Sequence, residues 1–181
     1  MLITITQNRQ NISATLKILM GVVILFAGAQ IVIPLKPVPV TFQTIVICLL
    51  GLIYSPKLSF FTVLTYILAG AAGMPLFTKF SSGTDYLFAT TGGYCLGFLI
   101  AAPLMGFISE RLPKSFLSLL LCCLIGHIII YFFGVIWLAR FVGLEQAFYN
   151  GFVVFIPTGI VKMAIFTYLF SYIKRNKSIL K

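Results

Sequence analysis

FVVFIPTGIVKMAIFTYLFSYI, residues Phe152–Ile173, decides what kind of molecule this is. A helix that crosses a bilayer needs about 20 apolar residues, with a range near 17–25. This stretch has that length and contains one charge, Lys162, with about ten residues on either side. A lysine near a bilayer centre costs about 2.5–3.5 kcal/mol on insertion scales, so such a residue usually faces a cavity, a partner or a ligand. The competing reading is that Lys162 snorkels to an interface, a long reach from that depth. No carboxylate accompanies it. Asp85, Glu110 and Glu145 are the chain's only acids, and each falls at the end of an apolar run or between runs.

Working outward, five more runs precede it: Leu16–Ile33, Phe42–Tyr54, Leu58–Met74, Tyr86–Ser109 and Phe116–Ala139. Of the 181 residues, 60% are hydrophobic and only 9% charged, against about 25% charged in a soluble domain. One core cannot hold that much apolar surface, so the expected fold is an all-α integral membrane protein of six transmembrane helices, forming a single domain over residues 1–181. The segment Met1–Thr15 is polar, carries one basic residue and has no small-residue cleavage site, so it does not read as a signal peptide. Residues 174–181 form a basic tail.

The +10 charge is not a nucleic-acid stripe, because the basic residues lie between the apolar runs. Six spans put Arg9, Lys17, Lys57, Arg111, Lys114, Lys174, Arg175, Lys177 and Lys181 on one side, and Lys36, Lys79 and Arg140 on the other. The positive-inside rule then places both termini in the cytoplasm. Pro34–Val40, Pro75–Asp85 and Phe141–Asn150 become outward loops. The first should be extended and stiff, because Pro34, Pro37 and Pro39 fix φ and disfavour helix in the residues before them. Thr41 then stands where its hydroxyl can cap the next helix. The second loop, polar and glycine-bearing, can fold back over a cavity.

Enzyme chemistry finds no support. There is no phosphate loop, no H-E-x-x-H, no nucleophile–base arrangement and no paired carboxylate within the runs. Cys48, Cys95, Cys122 and Cys123 lie in apolar runs without C-x-x-C spacing, and His127 is the only histidine. They read as small apolar residues rather than metal ligands or disulfides. Proton- or ion-driven pumping ordinarily uses acids at membrane depth. A chain that binds and passes a solute, powered elsewhere, fits better.

Several residues then carry two readings. Gln43, placed by the stiff loop, is either an interfacial polar residue or a ligand hydrogen-bonding group beside Phe42. Phe77 and Phe80 are interfacial anchors or pocket aromatics. In Thr90-Thr91-Gly92-Gly93-Tyr94-Cys95-Leu96-Gly97-Phe98, Gly93, Gly97 and Ala101 repeat every four residues, which suits close helix packing. Gly92 and Gly93 can equally admit a ligand ring, with Tyr94 stacking on it. Pro157 frees carbonyls beside a possible cavity, and Thr158 shares a helix face with Lys162.

Together these motifs resemble the BioY family, the biotin-specific S components of energy-coupling factor (ECF) transporters. The resemblance rests on Ile33-Pro34-Leu35-Lys36-Pro37-Val38-Pro39-Val40-Thr41-Phe42-Gln43-Thr44, Leu68-Ala69-Gly70-Ala71-Ala72-Gly73-Met74-Pro75-Leu76-Phe77, Thr91–Phe98 and the Pro-x-x-x-x-Lys of the last run. It implies a six-helix protein of the cell membrane that binds biotin near the outer face and mediates its uptake. The implied partners are biotin, the bilayer, a coupling membrane subunit and two ATPase subunits. Some members are thought to act without those subunits. It implies no cofactor of the chain's own, ATP entering only through the partners, and no nucleic acid. The implied binding residues are Thr41, Phe42, Gln43, Phe77, Thr91, Gly92, Gly93, Tyr94, Thr158, Gly159 and Lys162. Lys162 would meet the ureido carbonyl, with the Thr158 hydroxyl and freed backbone carbonyls taking its other protons. Gly159 stands where the family's motif has an aspartate. On the first helix, where S components carry Ala-x-x-x-Ala for docking, the nearest small residues are Ala14, Gly21 and Gly28. Two alternatives remain: an S component for another vitamin, or a membrane structural or interaction protein with Lys162 held by a lipid or partner.

Overall fold

The computed structural model describes residues 2–113 and 115–177, and the side chains of residues 12–113 and 115–168. The side chains of Arg9, Lys114 and the basic tail 174–181 lie outside the described residues. The chain is a helical bundle with a small hairpin at one end. Helix α1 (Leu2–Gln30) leads into strand β1 (Val32–Ile33), which pairs antiparallel with β2 (Val40–Thr41), Val32 opposite Thr41. Then come α2 (Gln43–Ile53), α3 (Pro56–Ala71), a 3₁₀ turn (Thr78–Phe80) and α4 (Thr84–Phe88). Helices α5 (Gly92–Arg111), α6 (Phe116–Val142), α7 (Leu144–Phe148) and α8 (Phe155–Lys177) complete it, with a π-helical turn at Tyr149–Val153.

Four stretches among the described residues are helical, long and apolar enough to cross a membrane: Ile12–Gln30, Gly92–Arg111, Phe116–Val142 and Leu144–Tyr168. Helices α2 and α3 are apolar but shorter, with 11 and 16 residues. At 1.5 Å per residue α2 covers about half of a bilayer core about 30 Å thick. The outer surface agrees with a lipid solvent. Leu117, Leu121, Leu124, Ile128 and Phe132 form a stripe along α6 at helical spacing, and each is 43–72% exposed. In water such a stripe would seek a partner; in hydrocarbon it is already solvated.

Helix α5 is the central element, packed along α6 and also against α2 and α3. Its approach to α6 depends on missing side chains. A Cβ at Gly97 would stand 2.7 Å from the Cα of Ile130, and one at Gly93 would strike Trp137. Small residues allow this contact between helices that lack a hydrophobic drive to associate in lipid. The main core includes Leu25, Ile47, Val63, Ala101, Ile130 and Leu138. Cys48, Met105, Cys122 and Cys123 form a second cluster and are free cysteines, packed as small apolar groups.

Several boundaries differ from the sequence reading. The polar segment Met1–Thr15 is helical from Leu2 onward, because nothing before Gln30 breaks the first helix. The run Tyr86–Ser109 is divided at Ala89–Thr91 into α4 and α5. The expected loop Phe141–Asn150 is largely helical. Phe141 and Val142 still belong to α6, Gly143 with a φ of 80° ends it, and the chain continues as α7. Thr41 does not cap α2: the residue at the cap is Phe42, without a side-chain cap bond, and the Thr41 hydroxyl donates instead to Gln43 Oε1 at 3.2 Å. Gly21 and Gly28 face inward, against Thr62 of α3 and Val46 of α2. They let α1 into the bundle and cannot belong to an external docking face.

Candidate functional site

The site is built where irregular segments meet the helix ends. The prolines keep Pro34–Pro39 out of helix, and the chain reverses between β1 and β2 with a cis Lys36–Pro37 bond. Val38 and Val40 turn inward and are buried. The Thr90 hydroxyl donates to the Pro37 carbonyl at 3.2 Å, tying the hairpin to the segment before α5. The Phe42 N–H reaches the carbonyls of Gly28 and Ile31, both at 3.1 Å, which fixes the entry into α2 against the end of α1.

The second irregular segment is pinned by Gln30. Its amide nitrogen donates to the Phe77 carbonyl at 3.0 Å, and its carbonyl accepts from the Phe80 N–H at 3.1 Å. Lys79 and Phe80 adopt positive φ, 58° and 57°, so the turn is tight. Phe77 is 1% exposed, stacks on Tyr86 at 4.5 Å and meets Tyr66 edge-on at 5.6 Å. A short relay runs beside it. Gln43 Nε2 donates to the Tyr66 hydroxyl at 2.8 Å, and that hydroxyl donates to the Leu76 carbonyl at 2.9 Å. Gln43 thus joins α2 to α3 and to the loop after α3.

Beneath these segments lies a small pocket with a cavity volume of about 40 Å³. Lys162 of α8 is at its wall and is 8% exposed. Its ammonium donates to the Thr41 carbonyl at 2.9 Å and to the Thr44 hydroxyl at 3.3 Å. An ammonium has three protons, so one donor remains for a ligand. None of Asp85, Glu110 and Glu145 lines the pocket. A cation without an anion favours a ligand group that is negatively charged or a strong acceptor.

Tyr94, Tyr131 and Phe155 supply flat walls. Tyr94 stacks on Phe155 with centroids 6.0 Å apart, and its hydroxyl donates to the Gly151 carbonyl at 2.8 Å. Toward the loops, the Tyr86 hydroxyl donates to Thr78 Oγ1 at 3.2 Å. Burial pushes this phenol up from its ordinary value, so it stays protonated.

Of the residues expected from the sequence, Thr41, Gln43, Thr91, Tyr94 and Lys162 come together in this lining. The others stand behind it. Phe42 is 38% exposed, and its ring centroid lies 6.0 Å from the lysine nitrogen. Phe77 buttresses Tyr86. Gly92 and Gly93 pack against Leu87 and Trp137, so they admit neighbouring backbone and side chains rather than a ligand ring. The Thr158 hydroxyl donates back to the Phe155 carbonyl at 3.1 Å. The expectation that it would take a Lys162 proton is corrected: the Thr41 carbonyl and Thr44 hydroxyl do so, from across the bundle. Gly159 packs beside the Tyr131 hydroxyl.

Val38, Pro39 and Thr44 fall within the Ile33–Thr44 stretch that carries the resemblance without being singled out there, and Thr78, Tyr86, Cys95, Phe98, Tyr131 and Phe155 were missed as lining residues. Two had usable signals. Phe155 precedes Lys162 by seven residues, two helical turns, and so shares its face. Tyr131 is a hydroxyl deep in an apolar run, where polar atoms normally have work to do.

A lipid-facing helical bundle with a lysine-bearing, aromatic-walled pocket at one end defines a membrane-embedded protein organised around a small solute. The BioY family profile matches residues 5–178. The probable biotin transporter BioY of Rickettsia prowazekii (strain Madrid E) is 50% identical over 161 residues, 89% of this chain and 83% of that protein. The biotin transporter BioY of Thermotoga maritima (strain ATCC 43589 / DSM 3109 / JCM 10099 / NBRC 100826 / MSB8) is 36% identical over 143 residues, covering 78% and 84%. The crystal structure of the S-component for biotin from an ECF-type ABC transporter superposes with a TM-score of 0.83 at 22% identity, covering 93% of this chain and 94% of that one. The chain belongs to the BioY family.

Proposed function

We propose that this protein binds biotin in the Lys162 pocket and mediates its uptake, as the substrate-binding S component of an ECF-type transporter. The carrying observation is the buried lysine, bonded to the Thr41 carbonyl and Thr44 hydroxyl with a proton to spare and no carboxylate in the lining. Biotin offers a ureido carbonyl as a strong acceptor. Its fused rings suit the flat walls of Tyr94, Tyr131 and Phe155. Thr41, Gln43, Thr44, Thr91 and Tyr94 are the further contacts this reading assigns, with Phe42 and Phe77 shaping them from behind.

The protein sits in the cell membrane with six spans, α1, α2, α3, α5, α6 and α8, and both termini in the cytoplasm. The lysine and arginine distribution along the sequence supports this orientation. The hairpin and the pocket then face outward. A coupling membrane subunit and two ATPase subunits supply the energy, so ATP acts only through partners and the chain is not itself an enzyme. With no acid in a span, it is not expected to couple uptake to a proton gradient.

Titration calorimetry on the purified, detergent-solubilised chain tests the binding. Saturable heat with biotin, undiminished by other vitamins, is expected. Silence with biotin and a saturable response to a different vitamin would replace the substrate; silence with all would return Lys162 to a lipid or partner.

A further inference from the structure

Three side-chain polar atoms among the described residues are buried without a hydrogen-bond partner: His127 Nε2, Tyr131 Oη and Thr167 Oγ1. Only Tyr131 lines the Lys162 pocket. Native proteins leave few buried hydroxyls unpaired, and those that remain call for an explanation. Looseness is not the explanation, because the ring is held on three sides. It meets Phe152 edge-on at 5.6 Å, Phe155 edge-on at 5.8 Å, and the His127 ring at 5.9 Å. The residue is 6% exposed. On the remaining side stands Gly159 of α8, where an added Cβ would come within 3.0 Å of the hydroxyl. Gly159 therefore leaves room for Tyr131 Oη three residues before the lysine.

The chemistry of the pocket gives this hydroxyl a task. A cyclic urea presents one carbonyl acceptor and two N–H donors. Lys162 matches the carbonyl. The N–H groups need acceptors, and no carboxylate lines the pocket. The Thr41 carbonyl and Thr44 hydroxyl each already accept one bond from Lys162, the Gln43 carbonyl accepts one from the Thr41 hydroxyl, and the Tyr86, Thr91 and Tyr94 hydroxyls are each turned to a protein acceptor. Tyr131 Oη is a hydroxyl oxygen free of protein partners; Tyr131 lines this pocket together with Lys162, and also the neighbouring apolar cavity that Gly159 lines.

We propose that Tyr131 is a specificity-determining ligand contact of the Lys162 pocket, its hydroxyl oxygen accepting from a ring N–H of the bound urea, and that Gly159 is the residue that admits it. This rests on the reading of the pocket as the biotin site. The two fail separately: a wild-type chain that does not bind biotin sinks the site, whereas a chain that binds with Tyr131 indifferent sinks only this assignment.

The test is calorimetry on the purified chain with biotin and with analogues N-methylated at each ureido nitrogen in turn. Tyr131→Phe should weaken biotin binding by about 3- to 30-fold, the range for losing one hydrogen bond that also orients a ligand. It should also narrow the gap between biotin and one of the two analogues, which a packing defect would not do. Gly159→Ala should weaken biotin several-fold in the parent, by crowding the hydroxyl, and have little effect in the Tyr131→Phe background. Equal biotin affinity in Tyr131→Phe, or an unchanged gap to both analogues, overturns the proposal. An equal Gly159→Ala penalty in the two backgrounds overturns the role of Gly159. If Tyr131→Phe does not fold, Gly159→Ala still decides: unchanged biotin affinity in that variant refutes the assignment.

Discussion

Lys162 was legible from the sequence, but its neighbours were not. A single charge inside an apolar run stands out in any reading, and the structure buries it against a pocket as that reading requires. Its partners come from Thr41 and Thr44, 121 and 118 residues away. No local spacing reports such a contact, which is why Thr158, four residues off on the same helix, looked like the natural acceptor. Tyr131 could be noticed as a hydroxyl within an apolar run, but that this hydroxyl has no partner shows only once α6 and α8 are packed. Hydrogen bonds to a charged group are worth about 1.5–3 kcal/mol, which converts to roughly 10- to 150-fold in affinity. Lys162→Met should therefore weaken biotin binding by about that range in calorimetry. The ligand-free melting temperature should change little, because a buried cation is removed along with the bonds that offset its desolvation. Unaltered affinity would place the lysine outside the ligand's reach.

At the level of elements, the apolar runs located the long helices, since hydrophobic length is what a bilayer demands. What they missed is where helices change direction. The break at Ala89–Thr91 lies within a run that is apolar on both sides, and the Trp137 indole N–H helps set it by donating to the Ala89 carbonyl at 2.9 Å. Hydropathy cannot register a carbonyl captured by another helix. The glycine repeat on α5 was legible in its packing sense: Gly97 rests on the backbone of Ile130. Gly97→Val should force α5 and α6 apart, at a cost of about 1–3 kcal/mol or more. A fall in the melting temperature of the detergent-solubilised protein would show it, with biotin affinity measured well below the transition largely kept. A melting temperature equal to wild type would mean that the two helices do not depend on that contact.

For the whole molecule, the two ends differ in kind. One carries the hairpin, the tight turn at Lys79 and the pocket. At the other, Lys17 of α1 and Lys57 of α3 line one surface groove, and the Tyr54 hydroxyl donates to the Lys17 carbonyl at 2.8 Å. Orientation can be tested with one cysteine at each end, in a background freed of the four buried native cysteines. Lys79→Cys should react with a membrane-impermeant maleimide on intact cells, and Lys57→Cys only after the membrane is opened. The reverse pattern would invert the topology. The long separation between Lys162 and its partners has a consequence for biosynthesis as well. Synthesis runs from the N-terminus, so the hairpin and α2 leave the ribosome well before the segment that carries the lysine. Until α8 is inserted, Thr41 and Thr44 have no cation to hold and the cleft has no charge. If the Lys162 pocket is the biotin site, the last helix made is the one that completes it, and a chain released before it is finished would be a membrane protein with nothing to capture its solute.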